Sequence, residues 1–312
     1  MKTYDILCLA ELAIDDIGNT DKITDNPSSV IIKTLQKFYG GIGGNFSASA
    51  SLFTKNISIL AYLSKNSEGR DYRQYLEKRG IDLSYVLENE WSSHPRCFVV
   101  NENEKTRIFF YPGTLIEQPD KYLEYAKELI NKIDSKALFC ASMNMELNTF
   151  YLQNSKCKLK AFAPVHNTYL ISKETFTTCL ENTDILFMND HEYKILEEKL
   201  GKKLPEIIRE FDIEVIIRTL GKEGSEVMVG GKTTKIPACK AKKVLDATGA
   251  GDAFSGAFVA NYVKTADPIY SAKIASAMAS FIVEAQGCQT NVPGLETLSK
   301  RVRDNYKIDL ME

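Results

Sequence analysis

Short runs of branched apolar residues punctuate the chain at 5–10, 57–63, 137–141, 185–188 and 215–218. Between them, apolar positions recur at helical spacing over 68–79, 121–132 and 191–199. Strands buried on both faces read as continuous apolar runs, whereas helices lying on a sheet carry one apolar stripe. The alternation predicts βαβ units with right-handed crossovers, hence an α/β fold with a mainly parallel sheet flanked by helices. Two stretches break it. Residues 14–38 carry no helical stripe, and 29–38 read as extended. Residues 96–100 and 106–110 flank the polar 101–105 like the arms of a hairpin. Strands without helices to cover them predict a small β-sheet outside the main one, its apolar face buried on a cleft, a second subunit, or both. Another hairpin is predicted over 227–237, turning at Gly230 and Gly231.

Composition narrows the classes of function. The 312 residues are 44% hydrophobic and 26% charged, as in globular chains and unlike disordered ones. A net charge of −2 gives no electrostatic footprint for nucleic acid or an anionic membrane. The seven cysteines are scattered, with no C-x-x-C spacing, so neither a zinc knuckle nor a disulfide framework is indicated. Set mostly in apolar runs, they read as small buried hydrophobes in a reducing compartment. No apolar run approaches the ~18 residues that span a bilayer, and Asp5 and Glu11 interrupt any leader-like core. The expectation is a soluble cytoplasmic protein.

The segment Asp246-Ala247-Thr248-Gly249-Ala250-Gly251-Asp252 precedes an apolar helical run. Unpaired N–H groups of Gly249, Ala250 and Gly251 at a helix start form an anion site, aided by the helix dipole. Asp252, in the first turn, reads either as an ordinary helix-start acid or as a base beside a phosphate pocket. A second segment, Gly40-Gly41-Ile42-Gly43-Gly44-Asn45-Phe46, imitates a dinucleotide fingerprint, but Phe46 occupies the place of its third glycine. It reads as a turn capping a helix, or as a loop where polyol hydroxyls meet the backbone around Gly41 and the Asn45 amide. Gly230-Gly231-Lys232-Thr233 mimics the end of a phosphate loop, yet Glu226 stands where the leading glycine belongs.

Asn189 and Glu192 follow the run 185–188 and share a helix face. They suit helix capping equally well as contact with a hydrated Mg²⁺. Thr219-Leu220-Gly221-Lys222-Glu223-Gly224 follows the run 215–218, and Asp15 lies just beyond the first strand. Ligands of open parallel sheets bind beyond the carboxyl ends of strands, so all these residues would converge on one edge.

Together these motifs resemble the PfkB (ribokinase-like) carbohydrate kinases. The resemblance rests on Asp246 through Phe258, on Gly40 through Ala48, on the N-x-x-E of Asn189 to Glu192 and on the T-L-G-x-x-G of Thr219 to Gly224. The stretches 186–193 and 283–291 are similar to an archaeal subgroup of broad-specificity nucleoside kinases. The likeness implies a single ribokinase-like domain over 1–312, with lid insertions near 14–38 and 96–111 that often clasp a second subunit as a homodimer. It implies that Asp252 is the catalytic base and that Gly249, Ala250 and Gly251 form an anion hole. Asn189 and Glu192 would act on Mg²⁺ through water, with no direct protein ligand to the metal. Thr219, Gly221 and Gly224 would border ATP, and Asp15, Gly41 and Asn45 would hold acceptor hydroxyls. Two departures are visible. Ala13 stands where the family often has asparagine. Ala163-Pro164-Val165-His166 replaces the Asp-Pro-x-Gln of related nucleoside kinases, so His166 is an acceptor contact or a solvated loop histidine.

The implied reaction moves the γ-phosphate of ATP to a nucleoside 5′-hydroxyl, with the helix dipole keeping Asp252 ionised as a weak base. The alternatives are a sugar kinase of the same family (ribose, fructose or a related hexose, or a sugar phosphate), a nicotinamide-dependent dehydrogenase, and a non-catalytic binding protein. A phosphosugar acceptor would call on Lys33, Lys37 and Arg107. The broken fingerprint at Phe46 argues against the dehydrogenase, and the Asp252 loop against the last.

Overall fold

The alternation of side chains along the first strand sets the two core layers. In β1 (Thr3–Leu9), Ile6 and Cys8 enter one layer while Leu7 and Leu9 enter the other, because successive residues of a strand point to opposite faces. The computed structural model describes residues 2–21, 29–90, 93–102 and 105–311, and for Lys105, Thr106 and His166 only the backbone.

Two strands leave β1 for a separate sheet: β2 (Ala13–Asn19) and β3 (Thr34–Gly40). The chain returns through β4 (Ile57–Ser64) and β5 (Val86–Asn89), then forms the hairpin β6 (Arg96–Glu102) and β7 (Lys105–Tyr111). There follow β8 (Asp134–Cys140), β9 (Leu159–Phe162), β10 (Ile185–Asn189), β11 (Val215–Thr219), β12 (Ser225–Val229) and β13 (Lys232–Ile236). The large sheet has nine strands in the order β13-β12-β11-β10-β9-β8-β1-β4-β5. All its pairings are parallel except those of the terminal hairpin β12/β13. Helices Ile42–Ala50, Ala250–Thr265 and Pro268–Ile282 cover the Ile6 face; Pro119–Glu128, Met145–Asn154, Lys173–Leu180 and Leu204–Phe211 cover the other.

The mainly parallel sheet flanked by helices is therefore as the apolar pattern predicts. Differences lie at the margins. The strands β5 and β9 have four residues each, too short for a periodicity to show. The helix expected over 121–132 runs Pro119–Glu128, where Pro119 presets the first turn and bonds from Lys132 and Ile133 to the Leu129 carbonyl replace the helical ladder. Gly230 and Gly231 both have positive φ (54° and 80°), as a two-residue hairpin turn needs. No helix among the described residues is long and apolar enough to cross a membrane.

The small sheet has the order β3-β2-β6-β7, with β2 and β6 parallel and the other pairs antiparallel. The strand expected within 29–38 begins at Thr34 and ends at Gly40, and 22–28 and 103–104 of the expected insertions lie outside the described residues. Register aligns Phe38, Asp15, Cys97 and Phe110 across the four strands, so these four share one face. The other face aligns Lys37, Asp16, Phe98 and Phe109, with Arg96 to one side of that row and Leu35 to the other.

Candidate active site

Two helices define the site by how closely they approach. A Cβ on Gly256 would stand 2.2 Å from the Phe46 carbonyl oxygen, so only glycine lets Ile42–Ala50 and Ala250–Thr265 pack backbone to backbone. One turn from that contact, the Asn45 amide Nδ2 donates to Asp252 Oδ2 at 2.9 Å. Burial pushes the Asp252 carboxyl up to about 6, and the Asn45 bond acts against that rise. Asp252 is expected from the sequence to be ionised and weakly basic; burial makes it more basic than that expectation. The carboxyl holds its proton more tightly than an exposed aspartate and is still mostly ionised at pH 7.

The Ala250–Thr265 helix has no side-chain cap. Its N-cap, Gly249, sits in the left-handed region at φ 75°, and a Cβ there would meet Cys288 Cβ at 2.5 Å. Among the described residues, no acceptor meets the N–H of Gly249, Gly251 or Asp252. The Ala250 N–H is a correction, because it donates to the Ala247 carbonyl at 3.3 Å as the turn tightens before the helix. The open N–H groups at this helix start are thus those of Gly249, Gly251 and Asp252 rather than of Gly249, Ala250 and Gly251.

Asp15 approaches from the small sheet. It is 2% exposed, Cys288 Sγ donates to its Oδ2 at 3.6 Å, and Oδ1 is buried without a partner. Burial raises its carboxyl to about 7, opposed by the thiols of Cys288 and Cys97 and reinforced by the charges of Asp252 and Asp246. Gly40 leaves the room that this carboxylate occupies, since a Cβ there would lie 2.0 Å from Oδ2. Gly41, with φ 80°, caps the Ile42–Ala50 helix against Ala13 N and the Glu11 carbonyl, where no side chain fits.

Asn189 and Thr219 are register partners at the ends of β10 and β11, which puts them side by side on the carboxyl edge. Asn189 Oδ1 accepts from the N–H groups of His191 and Glu192, and Glu192 Oε2 accepts the Asn189 N–H at 2.8 Å, a complete capping box. Burial raises the Glu192 carboxyl to about 7, the Asn189 N–H bond acts against that rise, and the charge of Asp252 adds to it. No basic side chain offsets burial at either. Gly221 (φ 56°) opens the turn after β11, and open space lies where its Cβ would be. Gly224 (φ 96°) lies 2.0 Å, at Cβ distance, from the Ile236 carbonyl. His166 belongs by backbone to the turn Val165–Thr168; its side chain is outside the described residues.

Residues 3–295 match the pfkB family carbohydrate kinase pattern. The chain belongs to this family. It is similar to the nucleoside kinase of Methanothermobacter thermautotrophicus, 30% identical over 95% of either chain. It is similar also to that of Methanocaldococcus jannaschii, 29% identical over 96% of this chain and 97% of that one. The crystal structure of the latter superposes with a TM-score of 0.84, 27% identity and coverage of 97% and 99%. A Burkholderia thailandensis nucleoside kinase in complex with inosine shares the fold at 21% identity, TM-score 0.87 and coverage of 97% and 99%. Family and fold are those implied by the motifs, and the protein is a phosphotransferase rather than a dehydrogenase.

The structure brings Asp252, Asn45, Gly249 and Asp15 into one cluster through Cys288, and seats Asn189 beside Thr219. Sequence reasoning missed Tyr72, Cys97, Cys288 and Gln289, which surround Asn45 and Asp15. Gln289 lies in the stretch 283–291 already noted for its likeness to nucleoside kinases, but a lone glutamine carries no spacing signal.

Proposed function

We propose that the protein transfers the γ-phosphate of ATP, in the presence of Mg²⁺, to the primary 5′-hydroxyl of a nucleoside. The observation that carries this reading is the meeting of Asp252, held by Asn45, with open amides on its own helix start. In this mechanism Asp252 takes the hydroxyl proton, and a carboxyl near 6 combines the ionised form with useful basicity. The N–H groups of Gly249, Gly251 and Asp252 stabilise the negative charge of the transferring group. Thr219, Gly221 and Gly224 border the nucleotide. The unpartnered Asp15 Oδ1 accepts acceptor hydroxyls, beside Gly41 and Asn45.

Glu192 fits a nearby Mg²⁺: it is a half-buried acid without a basic partner. Asn189 Oδ1 is occupied by two amides, so contact runs through water. When bound, the ion neutralises phosphate charge.

The relatives named nucleoside kinases, and the fold neighbour that holds inosine, support the choice of acceptor. So does the face around Asp15, where Phe38 and Phe110 suit a planar base. Lys37 and Arg107, wanted for a phosphosugar, lie on the opposite face by register. The small sheet acts as a lid that excludes water. Its outer face exposes Leu35 (68%) and Phe109 (60%), which supports a homodimer through the lid. Seven free cysteines support a reducing cytoplasm. An ADP-release screen of nucleosides and hexoses with ATP and Mg²⁺ tests the reading: nucleosides should respond. Turnover on hexoses alone would move the assignment to the sugar kinase alternative.

A further inference from the structure

A buried hydrogen-bond chain has a polarity dictated by its ends, and one such chain runs from the root of the small sheet to Asp252. At the first end, the Gly40 carbonyl can only accept, and it takes the Tyr72 hydroxyl proton at 2.6 Å. Tyr72 then has only oxygen lone pairs to offer. Gln289 Nε2 donates to them at 2.8 Å. The second Nε2 hydrogen goes to Asn45 Oδ1 at 3.0 Å, which leaves Asn45 Nδ2 facing Asp252 Oδ2 at 2.9 Å. Tyr72 and Gln289 are buried, so bulk water does not compete for these bonds.

The other end, an ionised carboxylate, is again purely an acceptor. A chain with acceptors at both ends requires one member that donates in both directions, and the Gln289 amide nitrogen is that member. A hydroxyl has a single hydrogen and a carboxylate none. Without this double donor, the Asn45 amide can turn over when Asp252 is protonated and accept the carboxyl hydrogen at Oδ1, which favours the protonated form.

We propose that Gln289 is a positioning residue for phosphoryl transfer. By donating to both Tyr72 and Asn45 it selects the Asn45 orientation that steadies Asp252 and lowers its proton affinity. The inference rests on the reading of Asp252 as general base. It also joins the last residue of β3 to that base through three side chains.

The test compares wild type with Gln289→Leu, which donates nothing, and Gln289→Glu, which keeps the shape and reverses the polarity. The Asp252 carboxyl is titrated by ¹³C NMR in the ligand-free protein, and ADP release is followed against pH. In both variants the Asp252 midpoint should rise by about one pH unit, with Gln289→Glu the larger. Turnover should fall about tenfold, the acid limb moving with the midpoint, while the ATP KM stays within about twofold. Tyr72→Phe, which leaves the Gln289–Asn45 bond in place, should give a smaller shift of the same sign. A folded variant at position 289 with an unmoved Asp252 midpoint overturns the proposal. If neither variant folds, the wild-type Asn45 side-chain NH₂ resonances decide. They must shift with the Asp252 titration, and resonances that ignore it overturn the proposal. Wild type that phosphorylates nothing overturns the kinase reading instead, and leaves the titration readout intact.

Discussion

Two helices start at the same edge of the sheet with an acid in the first turn, and they treat their free amides in opposite ways. The Asp190–Leu200 helix satisfies its own: Asn189 accepts two N–H groups and Glu192 returns a bond to the Asn189 N–H. The Ala250–Thr265 helix has glycine at its N-cap, no side-chain cap, and an Asp252 side chain turned aside to Asn45. A capping side chain stabilises a helix by about 1 kcal/mol. Leaving it out forgoes that stability and keeps donors and dipole available for an anion. The difference teaches that a binding helix start is recognised by what it leaves unsatisfied.

The largest effect that would break this contrast is at the base. Asp252→Asn should lower turnover by about 10²–10⁴-fold while ATP still binds, as read by ADP release and nucleotide titration calorimetry. Unchanged turnover would reduce Asp252 to an ordinary first-turn acid. Next comes Gly249→Ala, which forces an unfavourable positive φ and a methyl group against Cys288. It should cost ~1–3 kcal/mol of stability and at least tenfold in turnover, because the amides move off their aim.

The pH dependence sharpens the comparison further. The kcat/KM profile should lose activity as pH falls through about 6, where Asp252 takes up its proton. Stability should run the other way. The folded carboxyls of Asp252, Asp15 and Glu192 are raised to about 6, 7 and 7, above their ordinary values. The folded state therefore binds more protons between about pH 4 and 7, and stability is lost as pH rises through that window. Thermal melts of Asp252→Asn should accordingly exceed wild type at pH 8 and match it more closely at pH 4. The smallest effect belongs to the satisfied helix. Asn189→Ala, melted without ligands, should lose ~1 kcal/mol and about 2–4 °C in Tm.

Much of this was legible beforehand. The apolar runs of β1, β4, β8, β10 and β11 are buried on both faces and announce themselves. Gly249, Gly251 and Asp252 stand next to one another in sequence, so their chemistry is local and readable. Asn189 and Glu192 read as capping residues or phosphate-site residues alike, because both roles need oxygen atoms at a helix start. The Ala250 amide was misjudged because a tightened turn is a matter of backbone angle rather than residue type. The parts that Gln289, Tyr72 and Cys288 play beside Asn45 and Asp15 could not be read, because tens to hundreds of positions separate them.

The chain's own order of residues determined the α/β layering, the two sheets and the uncapped, glycine-led helix start, since each depends on side-chain period or on neighbours in the chain. Tertiary packing alone decided which way Asn45 points, how basic Asp252 is and which groups face Asp15. Those properties come from burial and from hydrogen bonds between distant segments, and neither exists until the two glycine-lined helices and the small sheet have closed on one another.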